Sequence, residues 1–166
     1  STPPGILTRL ADDPDPDVRS NVAGNPSTPP GTLARLADDR RAGGLVARNP
    51  STPPGALARI ADGEWPEAEA VAANPRTPPE ALARLAERLD LSSGALIDLA
   101  ANPSTPPGTL ARLAGAGRPA CRSEVAANPS TPPATLLGLA NDPDPGVRAA
   151  AAANPGCPPA GKAAAG

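Results

Sequence analysis

The residues best suited to covalent or metal chemistry in this chain are two thiols, Cys121 and Cys157, and there is no histidine to serve them. A cysteine–histidine nucleophile and any histidine metal site are therefore excluded. Two distant cysteines make neither a disulfide framework nor a close metal pair. The carboxylates Asp12, Asp13, Asp15 and Asp17 follow the alternation of a calcium loop for a few positions. Pro14 and Pro16 interrupt it, and the distal glutamate is missing. No nucleophile motif or glycine-rich phosphate loop occurs. The residues predict neither an enzyme, a metal centre nor a cofactor site.

What remains is chemistry of recognition. Arg9, Arg35, Arg59, Arg84 and Arg112 each precede an apolar residue in a recurring Leu-x-x-Leu pattern. Aligned, such guanidinium groups could meet an acidic partner or a phosphate backbone. The plainer expectation is local pairing three residues on, Arg9 with Asp12, Arg35 with Asp38, Arg59 with Asp62 and Arg84 with Glu87. Arg112 is the exception, because Ala114–Gly117 supplies no acid. Arg40, Arg41, Arg118 and Arg122 replace an acidic loop found elsewhere, which makes them candidates for partner contact. Trp65, the sole aromatic residue, is either a binding hot spot or a staple between its loop and the next helix.

The elements that position these residues are internal repeats. Ser-Thr-Pro-Pro begins at Ser1, Ser27, Ser51, Ser104 and Ser130, with an Arg76 variant and a decayed copy at Gly156. The spacings are 26, 24, 25, 28, 26 and 26. Asn-Pro precedes each internal copy at Asn25, Asn49, Asn74, Asn102, Asn128 and Asn154. These asparagines could form an amide ladder for an extended peptide. The simpler role is structural, satisfying backbone groups left open where a helix stops before proline. Glycosylation is excluded, since proline follows each of them.

Each repeat reads as two short helices. Thr is an N-cap candidate with Pro at the first helical position, and Leu, Leu and Ala then share one face. Asp15 and Asp144 can cap the second helix, which must end at Asn-Pro. Cys121 occupies the position of Val18 in this helix and reads as a buried, inert thiol. Helices of two or three turns are not stable alone. Three or four aliphatic side chains, at roughly 1.5–3 kcal/mol each, cannot offset about 1–2 kcal/mol of backbone entropy per residue. Neighbouring repeats must share their burial, so a linear stack is required.

The pattern N-P-x-x-P-x-x-L-x-x-L-A-x-D-P-D-x-x-V-R-x-x-V-A-x-N-P resembles the leucine-rich repeat variant family, most clearly over Leu10–Pro30 and Leu136–Pro155. The resemblance implies an all-α, right-handed α-solenoid in which α-helices alternate with short 3₁₀ helices, without a sheet. It also implies a bacterial protein that binds other proteins. A branch of that family carries a cysteine-ligated iron–sulfur cluster; this chain lacks the cluster of cysteines, so the cofactor is not expected.

The expected organisation is about six two-helix repeats over 1–159, followed by a fraying tail or linker over 160–166. Starting at Ser1 inside a repeat, the chain reads as part of something longer. The absence of Phe, Tyr and Met leaves Ala, Leu, Val and Ile, which suit thin, closely stacked helices rather than a thick core. The 26 prolines and 16 glycines would raise the question of disorder, but the prolines recur in register with apolar residues. A net charge of −2 gives no general field for nucleic acid or acidic membranes, and no apolar run could span a bilayer. The expected function is a non-catalytic, cytoplasmic protein-binding scaffold. The contact residues would be Arg40, Arg41, Trp65, Arg112, Arg118 and Arg122. The alternatives are nucleic-acid binding through the arginine row, which lacks stacking aromatics, and a structural spacer or self-assembly module.

Overall fold

A computed structural model describes residues 2–63, 67–88 and 91–164. Among them are thirteen α-helices and no strand. Contacts divide the chain into two compact units, Ser1–Leu85 and Ala86–Gly166. The division falls in the fourth repeat, whose 28-residue spacing is the longest.

The first unit holds α1 (Pro4–Leu10), α2 (Pro16–Gly24), α3 (Pro30–Leu36), α4 (Gly43–Arg48), α5 (Pro54–Asp62), α6 (Ala68–Ala73) and α7 (Pro79–Leu85). Within it α2 packs on α4 and α4 on α6, while α3 packs on α5 and α5 on α7. The second unit holds α8 (Ser93–Ala101), α9 (Pro107–Leu113), α10 (Pro119–Ala127), α11 (Pro133–Leu139), α12 (Pro145–Ala153) and α13 (Pro159–Ala164). There α8, α10 and α12 form one layer, and α11 packs on α13. This layering of like helix on like helix is the solenoid arrangement required by repeats that cannot bury a core alone.

The core is aliphatic. Leu33, Leu57 and Leu82 of the first unit are fully buried, as are Leu110 and Leu136 of the second. The opposing layer contributes Val22–Ala23, Val46–Ala47 and Val71–Ala72, then Leu99–Ala100 and Val125–Ala126. Alanine beside valine lets short helices approach closely, which explains how a chain with one aromatic residue closes a core.

Proline sets the helix boundaries. Pro3, Pro29, Pro53, Pro106 and Pro132 are N-caps with ψ of 141–148° and no side-chain capping bond. A residue preceding proline is driven to extended ψ, so the first proline of each Pro-Pro is the last non-helical residue and the second opens the helix. Thr, expected as N-cap, stands one position too early and takes another role. The expectation holds for the second helices: Asp15 accepts from the Asp17 amide, and Asp144 from those of Gly146 and Val147. The second helices end on asparagine held extended before proline, with ψ of 119–128°.

Two further expectations change. Both helices of a repeat are α-helical, and among the described residues there is no 3₁₀ helix. Tightening is confined to isolated i→i+3 bonds at the turns, such as Asp12 N–H to Arg9 O at 3.2 Å and Thr28 N–H to Asn25 O at 3.0 Å. The stretch expected to fray is helical as far as Ala164, because α13 packs on α11 and α12. Gly161 is what admits it: a β-carbon there would lie 2.8 Å from Cys157 Sγ and 3.2 Å from Leu137 Cδ2.

Candidate functional site

The repeated polar residues are used up inside the stack. Asn49 Nδ2 donates to Ala23 O at 2.8 Å and Asn25 O at 3.0 Å, while its Oδ1 accepts from Ser51 N–H at 3.0 Å. Asn74 repeats this on Ala47 and Asn49, Asn128 on Ala100 and Asn102, and Asn154 on Ala126 and Asn128. Each amide therefore closes its own turn and also takes up carbonyls at the end of the preceding repeat's second helix. The sequence did not show that the acceptors of these asparagines lie one repeat back.

Threonine supplies the companion bond. Thr28, Thr52, Thr77, Thr105 and Thr131 are buried, and each hydroxyl donates 2.5–2.6 Å to the carbonyl six residues earlier. No buried side-chain nitrogen or oxygen among the described residues lacks a partner. A peptide seeking hydrogen bonds along this interior would find none on offer.

Arginine and aspartate form two further sets of ties. On the first-helix layer, Arg35 pairs with Asp12, Arg59 with Asp38 at 3.3 Å, and Arg84 with Asp62 through bonds of 2.8 and 3.1 Å. The acid lies in the preceding repeat rather than three residues on, which corrects the local pairing. The i+3 acid stands beyond the helix, as Asp12 does after the C-cap Ala11, and in the stack it faces the next repeat's arginine. On the second helices the direction reverses. Arg19 reaches forward to Asp39 at 2.6 Å, and Arg122 grips both oxygens of Asp142 at 2.7 and 2.9 Å.

Burial would raise the Asp39 carboxyl. The hydrogen bond from Arg19 and the amides of Arg41 and Ala42 outweigh it and hold the group below the usual carboxylate range. Asp142 is likewise held low, chiefly by Arg122 and against burial. Its charge in turn raises Arg122.

The candidate contact residues therefore separate. Arg122, expected at a partner surface, has a side chain only 13 % exposed beside an Asp142 side chain 7 % exposed, and it also donates to Ala116 O. It belongs to the stack. Arg41 touches Asp17 at 3.4 Å, but the two side chains are 68 % and 76 % exposed. Arg40 is exposed. Arg112 is exposed and donates to Ala86 O at 3.3 Å, and Arg118 is the exposed N-cap residue of α10. Trp65 lies outside the described residues. Cys121 is fully buried with its thiol on Leu96 O, and burial pushes its pKa up. Cys157, in the threonine position, is buried as well.

Two features escaped the reading of the sequence. Where the Leu-x-x-Leu arginine would meet an acid between α9 and α11, Gly115 and Gly138 stand instead, leaving a groove of about 340 Å³ with Ala111, Ala114, Ala134 and Thr135 in its lining. Both halves of the pair have been lost together, a signal visible in the repeat alignment. The second is Arg48, which ends α4 where other second helices end in Gly24, Ala73, Ala101, Ala127 or Ala153. Among the described residues, no group of three or more His, Cys, Asp or Glu side chains is placed to hold a metal. None of the described helices is long and apolar enough to cross a membrane.

Helix pairs tied repeat to repeat by Asn, Thr and Arg, and presenting varied charges outward, define a helical-repeat scaffold. Family models bear this out: one described as leucine rich repeat variant domain matches residues 66–122 and 94–155, and another, leucine rich repeat variant, matches 16–41. The chain belongs to the leucine-rich repeat variant family. It is similar in structure to "a leucine-rich repeat variant with a novel repetitive protein structural motif", at 27% identity and a TM-score of 0.62, over 99% of this chain and 70% of that one. No curated protein matches the sequence.

Proposed function

We propose that this chain is a non-catalytic scaffold that binds protein through the exposed, non-repeated residues of its solenoid surface. One observation carries the reading: among the described residues the buried polar side chains are satisfied within the stack, so the capacity for recognition lies with exposed residues, chiefly those that break the repeat. Arg41 and Arg118 are of this kind, with Arg40 beside Arg41. Arg112, though a member of the repeated row, is exposed and meets Ala86 O in place of the acid that Arg35, Arg59 and Arg84 reach. Their guanidinium groups suit acidic protein surfaces. Nucleic acid is the weaker partner class, since three of the five arginines in the row are engaged by Asp12, Asp38 and Asp62.

The test is cross-linking of the purified chain in extract of its source cells, read by mass spectrometry, beside an R41S/R112S/R118S variant. A defined protein cross-linked to wild type and reduced at least about tenfold with the variant is expected, as loss of several interface charges gives. Recovery of nuclease-sensitive material alone, or of nothing, overturns the proposal.

A further inference from the structure

The C-terminal ends of the second helices, with the Asn-Pro that follows them, form an edge made of small residues and proline. The helix-final residues are Gly24, Arg48 and Ala73 in the first unit, and the residues after Asn-Pro are Ser27, Ser51 and Arg76. Arg48 and Arg76 thus break the rule of this edge at two different repeat positions, yet both adjoin Pro50. A groove of about 160 Å³ runs there between the ends of α4 and α6, lined by Arg48, Pro50, Ala70, Ala73, Asn74 and Pro75. Arg76 is not in the lining but adjoins it, its guanidinium donating to Pro50 O at 3.4 Å.

The lining contains no acid. Among the described residues, neither Arg48 nor Arg76 meets a carboxylate, in contrast to Arg35, Arg59 and Arg84 in the same unit. The Asn74 amide is already spent on Ala47 O and Asn49 O, so the polar capacity is the Arg48 guanidinium in the lining and that of Arg76 beside Pro50. Its volume holds one or two small side chains and falls well short of the roughly 300 Å³ or more of a small-molecule site. The α9–α11 groove of the second unit is larger, but the one charge in its lining, Asp142, is held by Arg122.

We infer that the Arg48–Arg76 groove docks an acidic segment of a partner protein, with a Glu or Asp carboxylate taken between the two guanidinium groups and a neighbouring Ala or Pro seated on the Ala70–Ala73–Pro50 floor. This inference rests on the scaffold reading and assigns that scaffold a second contact, away from Arg41, Arg112 and Arg118. Paired arginines favour carboxylate over a neutral amide because they donate in a fixed fork.

The test uses the full chain and a tetramethylrhodamine-labelled peptide of repeated Glu-Ala-Pro, with its Gln-Ala-Pro counterpart as control. Anisotropy at low ionic strength gives affinity, and amide chemical shifts give location. The Glu peptide should bind at least about tenfold more tightly than the Gln peptide and shift Ala70, Ala73 and Asn74. R48A/R76S should remove that preference with an unchanged melting profile, since both changes restore the edge's own residue types; R48K/R76K should retain part of it. Equal binding of the two peptides, shifts confined elsewhere, or full affinity in R48A/R76S overturns the groove. So does tighter, competing binding of a single-stranded oligonucleotide. If the peptide fails while the cross-linked partner persists, the groove falls and the scaffold reading stands; if both fail, neither survives.

Discussion

The two units solve the same stacking problem with different electrostatics. In Ser1–Leu85 three arginines of the first-helix layer each reach an acid one repeat back. In Ala86–Gly166 the corresponding position between α9 and α11 is a pair of glycines, while the second-helix tie, a single Arg19–Asp39 bond in the first unit, becomes the more buried, bidentate Arg122–Asp142 pair. Both units keep the asparagine amides and threonine hydroxyls unchanged. What the units share is the closure of buried backbone groups; surface charge is where they diverge. The physical reason is magnitude, since an exposed ion pair contributes about 0–1 kcal/mol whereas a buried polar group left unpaired costs about 1–3 kcal/mol.

The comparison can be broken most severely at the shared asparagines. Asn128→Ala strips partners from Ala100 O, Asn102 O and Ser130 N–H, and about 3–5 kcal/mol should be lost in urea unfolding. Asn49→Ala in the first unit should cost about the same; a difference beyond about 1.5 kcal/mol would show that the ladder is not common currency between the units.

Next in size is Arg122→Met, expected to cost about 2–3 kcal/mol because it leaves Asp142 mostly buried without its cation. It should also alter acid unfolding. A carboxyl whose folded pKa is depressed gives stability that is complete above its unfolded value, near 3.9, and is lost as pH falls through the folded value. Stability of the second unit should therefore decline less steeply below about pH 4 in the variant.

Thr105→Val should cost about 1–2 kcal/mol, the loss of one buried hydroxyl bond to Leu99 O. Arg84→Gln should cost less than Thr105→Val, and the cost should fade at high salt. The smallest effect sharpens the contrast. Installing the missing pair as G115D/G138R should show a coupling of about 0.2–1 kcal/mol in a double-mutant cycle. Gly138→Arg alone should gain up to about 1 kcal/mol from helix propensity, since nothing lies within 4 Å of its β-carbon.

Much of this was legible in the sequence for a physical reason: a repeat forces the same local solution many times, so Leu33, Leu57, Leu82, Leu110 and Leu136 announce a core together. The asparagines were legible as backbone partners because a helix ending at proline leaves carbonyls open. The partners' addresses were not. Arg84 to Glu87 and Arg84 to Asp62 are both acceptable by charge, and only stacking geometry selects the acid 22 residues away. Threonine was misplaced by one residue because a Pro-Pro pair moves the cap onto its first proline. Arg122 read as a surface exception, when its acid was waiting in the next repeat. Arg48 and Arg76 were present as exceptions too, but they sit at different positions of the repeat, and no alignment of columns brings them both beside Pro50.

The asparagine ladder has a consequence for how the molecule ages. Asparagine commonly deteriorates when the next residue's backbone nitrogen attacks the side-chain amide, expelling ammonia and leaving aspartate. At Asn25, Asn49, Asn74, Asn102, Asn128 and Asn154 that nitrogen belongs to proline and carries no hydrogen, so the ring cannot close in the ordinary way. An aspartate in the ladder would turn a negative oxygen toward the carbonyls now served by an amide donor. The residue that ends each helix thus also shields from spontaneous decay the amide on which the joint between repeats depends.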